Sequence, residues 1–396
     1  MLNKNKEREL ANVVIVDDIK PIEGRDRVEC AVIGGWTIMV RKGQFKVGDP
    51  AIYFEIDSKT PSTSEFAFLA AKHFKIKTQK YGNFYSQGLL MGAEDFGWKI
   101  EDGYIIDDNN KKHIPNDSKT MFLTKQLGIT YYDPMDNARK GTNTKTNYKP
   151  IWKKIKNWFP FKQMARTEVG RKILWALFGI KKKKKAWPHY MPHSDQERVQ
   201  NMKWILENKT PFIASEKVDG CSSGFSVHRG KFGKLEYRVC SRNMVLTRSS
   251  KTYYDDMNVW FEMYDKYNIK DFLTDFIKET NAQWVYLQGE SFGKKVQKRD
   301  YSLEGHDFRA FELCTSKRVR YTYTEMKEIL DRYNIPTVPI ISDNYILPDT
   351  VEELIAFAHG NSAIDGKDRE GIVFQNIEDP TISFKAVDPD FLMKYH

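Results

Sequence analysis

The chain has 396 residues, 40% hydrophobic and 13% aromatic, which is enough apolar material for two folded domains and excludes a disordered polymer. Its four cysteines (Cys30, Cys221, Cys240, Cys314) are widely spaced and include no Cys-x-x-Cys pair. That argues against a zinc site or a disulfide framework and predicts a reducing, cytoplasmic setting. The charged opening stretch and a longest apolar run of only residues 173–180 predict a soluble protein without a membrane span, and the formal charge of +10 is spread unevenly.

In chain order, residues 13–19, 27–43, 47–57 and 85–92 read as short β-rich runs separated by Gly, Asp and Pro signals. About five short strands within a hundred residues predict a small barrel, with an OB-like fold leading and an SH3-like barrel reading almost the same. Residues 140–185 then carry fifteen Lys or Arg against the single acid Glu168, a local charge of +14, while the rest of the chain sums to about −4. Trp152, Trp158, Phe159, Phe161, Trp175 and Phe178 are interleaved with those bases, a mixture that suits a polyanion with exposed bases, with Lys181, Lys182, Lys183, Lys184 and Lys185 as its densest part. An amphipathic helix over 164–178 with a solvated basic face accounts for the same pattern, and the two readings are compatible.

Beyond the basic block, Ser194 with Glu197 three residues later is the signature of a capping box and predicts a helix over 192–208. Residues 284–289, 308–313 and 371–375 read as strands, and 326–333 and 351–358 as helices, so the carboxy-terminal part is expected to be α+β on a mainly antiparallel sheet. The expected domains are 1–125, an OB-like barrel; 126–190, a connector with the basic insertion; and 191–396, the catalytic part.

Lys217 lies two residues before Asp219-Gly220, a turn between two strand-like runs, so its amine sits at a strand end facing whatever that edge borders. Alone, Lys-x-Asp-Gly is also an ordinary hairpin with a solvated lysine. Downstream strand ends present Arg242 in VCSRN, Glu290 in LQGESFG, Phe311 in FRAFEL, Glu370 in REGIVFQ and Lys385 in ISFKAV. Taken singly, an acid at a strand end is usually solvated or ion-paired, Phe311 reads as core and Arg242 as a surface pair. In this order, however, the set resembles the motifs of covalent nucleotidyltransferases, specifically ATP-dependent RNA ligases. The stretches IGGWTIMVRKGQFKVGDPAIYFEIDSKTP and YSQGLLM resemble the OB module that precedes the catalytic domain in the nick-sealing branch, and LGITYYDP and WPHYMPHSDQERVQN resemble its connector.

The resemblance implies an amino-terminal OB-like barrel followed by a mixed, mainly antiparallel nucleotidyltransferase (ATP-grasp-like ligase) domain. It implies an enzyme that joins RNA 3′-hydroxyl and 5′-phosphate ends at a nick in a duplex, acting as a monomer through lysyl-AMP and RNA-adenylate. Lys217 is then the nucleophile, with Asp219 and Lys385 catalytic. Glu216, Gly220, Arg242, Glu290, Phe311 and Lys385 contact the nucleotide. Asp219, Glu290 and Glu370 hold Mg2+ or Mn2+, while Ser222, Arg242, Asn243 and the Lys181 to Lys185 run contact RNA. A lysine amine is almost wholly protonated at neutral pH, so attack on the α-phosphorus of ATP needs positive neighbours, a metal ion and Lys385, to lower its pKa. The sequence departs from the pattern at Ser383, which stands where many ligases carry a first lysine, and at Lys298-Arg299, where relatives favour a small residue and asparagine. A DNA ligase, an mRNA capping guanylyltransferase, or a non-catalytic RNA-binding protein on a ligase scaffold are the alternatives.

Overall fold

A computed structural model of the chain describes residues 8–131, 158–178, 187–192, 196–250 and 258–395, except Asn83, Ala165, Asn208, Asn243 and Ser249. The chain divides into two units, one of Met1–Asp133 with Pro188–His396 and one of Pro134–Trp187.

The amino-terminal β-rich runs become short antiparallel strands. Pro50–Phe54 is the middle strand of a three-stranded sheet between Ala11–Ile15 and Leu89–Met91, and it is buried on both faces. Ile52 and Phe54 join a core with Val13, Phe66 and Leu123, whereas Ala51 and Tyr53 join a second core with Val14, Trp36 and Ile38. The period of two thus distributes one strand's side chains between two apolar clusters. A second sheet holds Asp18–Ile22, Arg25–Ile33 and Trp36–Arg41. The run at 13–19 is therefore two strands rather than one. Between them Val16 N–H donates to the Asp49 carbonyl (2.9 Å) and Asp17 N–H to the Val32 carbonyl (2.9 Å), so the chain changes partners there. The run at 27–43 likewise folds into a hairpin at Gly34-Gly35.

The carboxy-terminal part contains two five-stranded sheets. One has the order Glu197–Arg198, Ser383–Val387, Gly371–Asn376, Phe212–Lys217, Ile340–Tyr345; the other has Val245–Leu246, Leu235–Cys240, Cys221–Arg229, Trp284–Gly293, His306–Thr315. All pairings are antiparallel except that of Glu197–Arg198 with Ser383–Val387. The strand ending at Lys217 and the strand starting at Cys221 are consecutive but belong to different sheets, so Val218-Asp219-Gly220 carries the chain from one sheet to the other. Gly220 is required at that crossing because a Cβ on it would lie 2.4 Å from the Ser291 carbonyl oxygen.

Helices Val259–Lys266 and Ile269–Glu279 cover the second sheet with Trp260, Met263, Phe272 and Phe276 buried. Tyr323–Asp331 and Val351–Ala358 each begin with a capping box, Thr322 with Glu325 and Thr350 with Glu353.

The helix expected over 192–208 is absent among the described residues, which include all of that range but 193–195 and Asn208. In its place are the strand Glu197–Arg198 and 3-10 turns at Val199–Asn201 and Lys203–Glu207. Tertiary partners outweigh the local signal. Glu197 accepts from the Arg198 N–H (3.0 Å) and from Asn201 Nδ2 (2.7 Å), and Asn201 in turn accepts from Trp36 Nε1 (2.6 Å) and donates to Glu55 (3.2 Å). Gly35 N–H also donates to the Gln200 carbonyl, and a Cβ on Gly35 would lie 2.8 Å from Gln200 Cα. Residues 197–201 are therefore the seam between the amino-terminal strands and the two five-stranded sheets.

In the Pro134–Trp187 unit the helix expected over 164–178 is two, Phe159–Met164 and Glu168–Phe178. The second restarts where the Thr167 hydroxyl accepts the Gly170 N–H (3.0 Å). Lys181 to Lys185 lie outside the described residues.

Candidate active site

Lys217 ends its strand and Glu370 immediately precedes one, whereas Glu290, Phe311 and Lys385 lie within theirs. Lys217 closes its strand opposite Gly371, and Glu370 immediately precedes that glycine, so the ladder brings their backbones close together. The Lys217 Nζ lies 2.5 Å from Glu370 Oε2, with the two side chains 23% and 8% exposed. On the same sheet Lys385 pairs with Val373. By alternation, Lys217, Val373 and Lys385 share one face, with the two lysine Cα atoms roughly 12 Å apart from strand spacing and rise. Across the crossing, Glu290 stands opposite Ser222 on one side and Arg309 on the other. Asp219, at the crossing itself, is buried.

The electrostatics follow from this crowding. Burial alone pushes the Lys217 amine down, but the carboxylates of Glu370, Glu290 and Asp219 outweigh it and hold the amine above the ordinary lysine value. The side chains that dominate here are negative, so the lowering expected of positive neighbours would have to come from a bound cation. Glu290 is pushed up to about 8, first by burial and then by the like charges of Glu370 and Asp219, against the opposing pull of Lys217 and Arg242. Glu370 meets the amine directly and Glu290 and Asp219 act on it through their charge, and all three offer the hard-oxygen donors that suit a divalent cation, although among the described residues the acids and histidine that lie close enough to share an ion are His359, Asp388 and Asp390.

Phe311 is half-buried and occupies a β-bulge: Gln288 pairs with Glu312 and Gly289 with Ala310, leaving Phe311 as the extra residue. The bulge gives this ring an orientation the regular ladder would not. Arg242 follows the Leu235–Cys240 strand, its guanidinium 5.0 Å over the Tyr131 ring. Ser222 shares the Glu290 face, and its carbonyl accepts from Trp260 Nε1 (3.0 Å). Asn243 lies outside the described residues.

The Glu216 carboxylate is not brought to Lys217. It alternates to the opposite face, where it accepts the Ala363 N–H (2.7 Å), and burial raises its pKa.

Four residues near the site were not anticipated. Arg198 pairs in register with Lys385, is 7% exposed, lies 3.8 Å from Asp57, and is near enough to Glu370 to feel its charge. Tyr131 meets Arg242. Gln297 and Tyr301 bond the backbone of the Lys217 crossing, Gln297 Nε2 to the Gly220 carbonyl (3.0 Å) and Tyr301 Oη accepting the Asp219 N–H (2.7 Å). Tyr131 and Arg198 lie in the LGITYYDP and WPHYMPHSDQERVQN stretches that resemble the family connector, a signal that could have singled them out, whereas Gln297 and Tyr301 lie in the polar run KKVQKRDY, which carries none.

A family model described as RNA ligase matches residues 210–396, and a second, described as an OB-fold domain, matches residues 10–93. A search of curated proteins returns no match. Solved structures of an RNA ligase from Naegleria gruberi align along nearly the whole chain. The form with PPi is 25% identical, covering 98% of this chain and 99% of the other at a TM-score of 0.70. A glutamate-to-alanine variant with AMP and Mn gives the same values. A lysine-to-alanine variant with ATP and Mn is 24% identical, with 98% of each chain covered and a TM-score of 0.70. With an OB-fold match ahead of a ligase match, and with lysine and carboxylates meeting where its two sheets join, this chain carries an RNA ligase domain over residues 210–396 and is similar to the Naegleria gruberi RNA ligase along nearly its whole length.

Proposed function

We propose that the chain is an ATP-dependent ligase that seals RNA 3′-hydroxyl and 5′-phosphate ends, with Lys217 as the adenylylated nucleophile. The observation that carries this reading is the Lys217 amine 2.5 Å from Glu370 and within the field of Glu290 and Asp219. In the first step Lys217 Nζ bonds to the α-phosphorus of ATP, the bond to pyrophosphate breaks, and Glu370 is placed to take the amine proton. In the second, an oxygen of the RNA 5′-phosphate attacks that phosphorus and the P–N bond breaks. In the third, the RNA 3′-hydroxyl attacks the 5′-phosphorus and AMP leaves.

Lys385 is placed on the same face to meet negative charge as it develops on the phosphate. Asp219, Glu290 and Glu370 would hold a Mg2+ or Mn2+ ion, whose charge would lower the amine pKa and neutralise phosphate charge. Phe311 offers a ring for the adenine, and Ser222 and Arg242 offer contacts to the RNA end. In this reading residues 1–125 position RNA, 126–190 connect, and 191–396 perform adenylyl transfer. The protein is read as a cytoplasmic monomer acting on nicked duplex RNA. Four free, buried cysteines are compatible with a reducing compartment. Among the described residues no helix is long and apolar enough to cross a membrane.

The test is incubation with labelled ATP or GTP and a divalent cation, followed by a denaturing gel. Label from ATP on the wild type and none on Lys217→Ala is the expected result, with sealing of a nicked RNA duplex following. Label from GTP alone would make the protein a guanylyltransferase, and label on the variant would remove Lys217 as nucleophile.

A further inference from the structure

The loop joining the strands Trp284–Gly293 and His306–Thr315 has a polar, basic sequence, yet it folds inward. Arg299 is 2% exposed and Tyr301 1% exposed. Three of its non-glycine residues sit in the left-handed region, Lys295 at φ 64°, Tyr301 at 55° and Ser302 at 56°. A bulky residue such as Tyr301 adopts that conformation only where its surroundings over-determine it. Here they do: the ring meets Phe292 edge-on with centroids 4.8 Å apart, and the Arg299 guanidinium lies 4.2 Å over it.

What this conformation delivers is a grip on both halves of the Lys217–Glu370 contact. On one side, Tyr301 Oη accepts the Asp219 N–H and Gln297 Nε2 donates to the Gly220 carbonyl. These are backbone groups of the crossing, at positions outside the strands Phe212–Lys217 and Cys221–Arg229. On the other side, Arg299 Nη1 and Nη2 donate to the two Asp365 oxygens (2.8 and 2.6 Å) and Nε donates to the Asp368 carbonyl (3.0 Å). Asp365 and Asp368 belong to the segment that runs directly into Glu370.

We propose that Gln297, Arg299 and Tyr301 form a positioning clamp for adenylyl transfer. One loop holds the turn after the nucleophile and the segment before Glu370 at a fixed separation. The proposal rests on the reading of Lys217 as nucleophile. The clamp residues are positioning residues, acting through Asp219, Gly220 and Glu370. Reaction geometry is sensitive to displacements well below 1 Å, and a strand ladder alone leaves such freedom at a strand end.

The experiment is single-turnover lysyl-AMP formation by the full-length protein with labelled ATP and Mn2+, for wild type, Tyr301→Phe and Gln297→Leu. Tyr301→Phe keeps the ring and both of its packing contacts and removes only the hydroxyl. Both variants should form lysyl-AMP about tenfold more slowly at saturating ATP, the order expected for one buried hydrogen bond that fixes transition-state geometry. Half-saturation by ATP should stay within twofold and the unfolding temperature within about 2 °C of wild type. A rate within twofold of wild type in either variant overturns the clamp. So does a loss that appears as a raised half-saturation or a larger fall in unfolding temperature, because the loop would then be a plug that supports the fold. A wild type that takes up no label would instead defeat the reading of Lys217 as nucleophile.

Discussion

Binding of a divalent cation should expel a proton from Glu290. With its pKa near 8 in the cation-free protein, Glu290 is about nine-tenths protonated at pH 7 and about one-tenth at pH 9. An ion held by Asp219, Glu290 and Glu370 needs the carboxylate ionised, so saturating Mn2+ should release about 0.9 proton from this group at pH 7 and about 0.1 at pH 9. Calorimetric titration in two buffers of different ionisation enthalpy reads this number directly. Glu290→Gln, compared at saturating cation, should release about 0.9 proton fewer than wild type at pH 7, with the two proteins converging at pH 9. The same shift has a stability counterpart with a definite sign. Folded Glu290 keeps its proton up to about pH 8, whereas the unfolded chain gives it up near 4.5, so the folded state binds more protons between those values. The stability of the cation-free protein should therefore fall as pH rises through that window, by a few kcal/mol at most, and Mn2+ should restore it more at pH 8.5 than at pH 6. Equal proton release by wild type and Glu290→Gln at pH 7 would refute the reasoning and place the cation elsewhere.

Other consequences are simpler to test. Lys217→Ala should accept no AMP and unfold below wild type at pH 8, since it leaves the buried Glu370 carboxylate without its ammonium partner; mass spectrometry and thermal melts check both. Asp365→Ala should cost about 3–5 kcal/mol in urea unfolding, because it strands the Arg299 guanidinium at 2% exposure; a loss under about 1 kcal/mol would mean that the loop opens to water. Replacing Lys181 to Lys185 with glutamine should flatten the fall of RNA affinity with salt and leave the lysyl-AMP yield unchanged. Parallel salt slopes would make that run surface decoration.

The ligase resemblance was legible because a lysine, two glutamates and an aromatic in this order are rare together, and the match of residues 210–396 to the RNA ligase model bears it out. The helix at 351–358 was legible for a local reason: Thr350 and Glu353 cap it and bury Val351 and Leu354 on one side. The same kind of local signal failed at Ser194 and Glu197, since Glu197 is claimed by Asn201 and Asn201 by Trp36 and Glu55, residues that lie 165 and 146 positions away. Helices Val259–Lys266 and Ile269–Glu279 were overlooked although their apolar residues recur at helical spacing. The clamp loop was illegible in principle. KKVQKRDY looks solvated, and only the Asp365 partner, 66 residues on, makes its burial affordable.

The charge distribution separates two tasks that one surface could not perform well. The carboxylates that crowd Lys217 would repel a nucleic acid backbone, and outside residues 140–185 the chain carries about −4 overall. A dication held by Asp219, Glu290 and Glu370 would answer that repulsion locally, because two positive charges there would favour release of the Lys217 proton. It cannot supply long-range attraction, which salt screens over about 8 Å at physiological ionic strength. The +14 segment has the opposite properties: it has almost no acids to hold a cation, and enough charge to release condensed counterions from a phosphate chain. Adenylyl transfer should therefore depend steeply on divalent cation and weakly on monovalent salt, and RNA capture should show the reverse dependence.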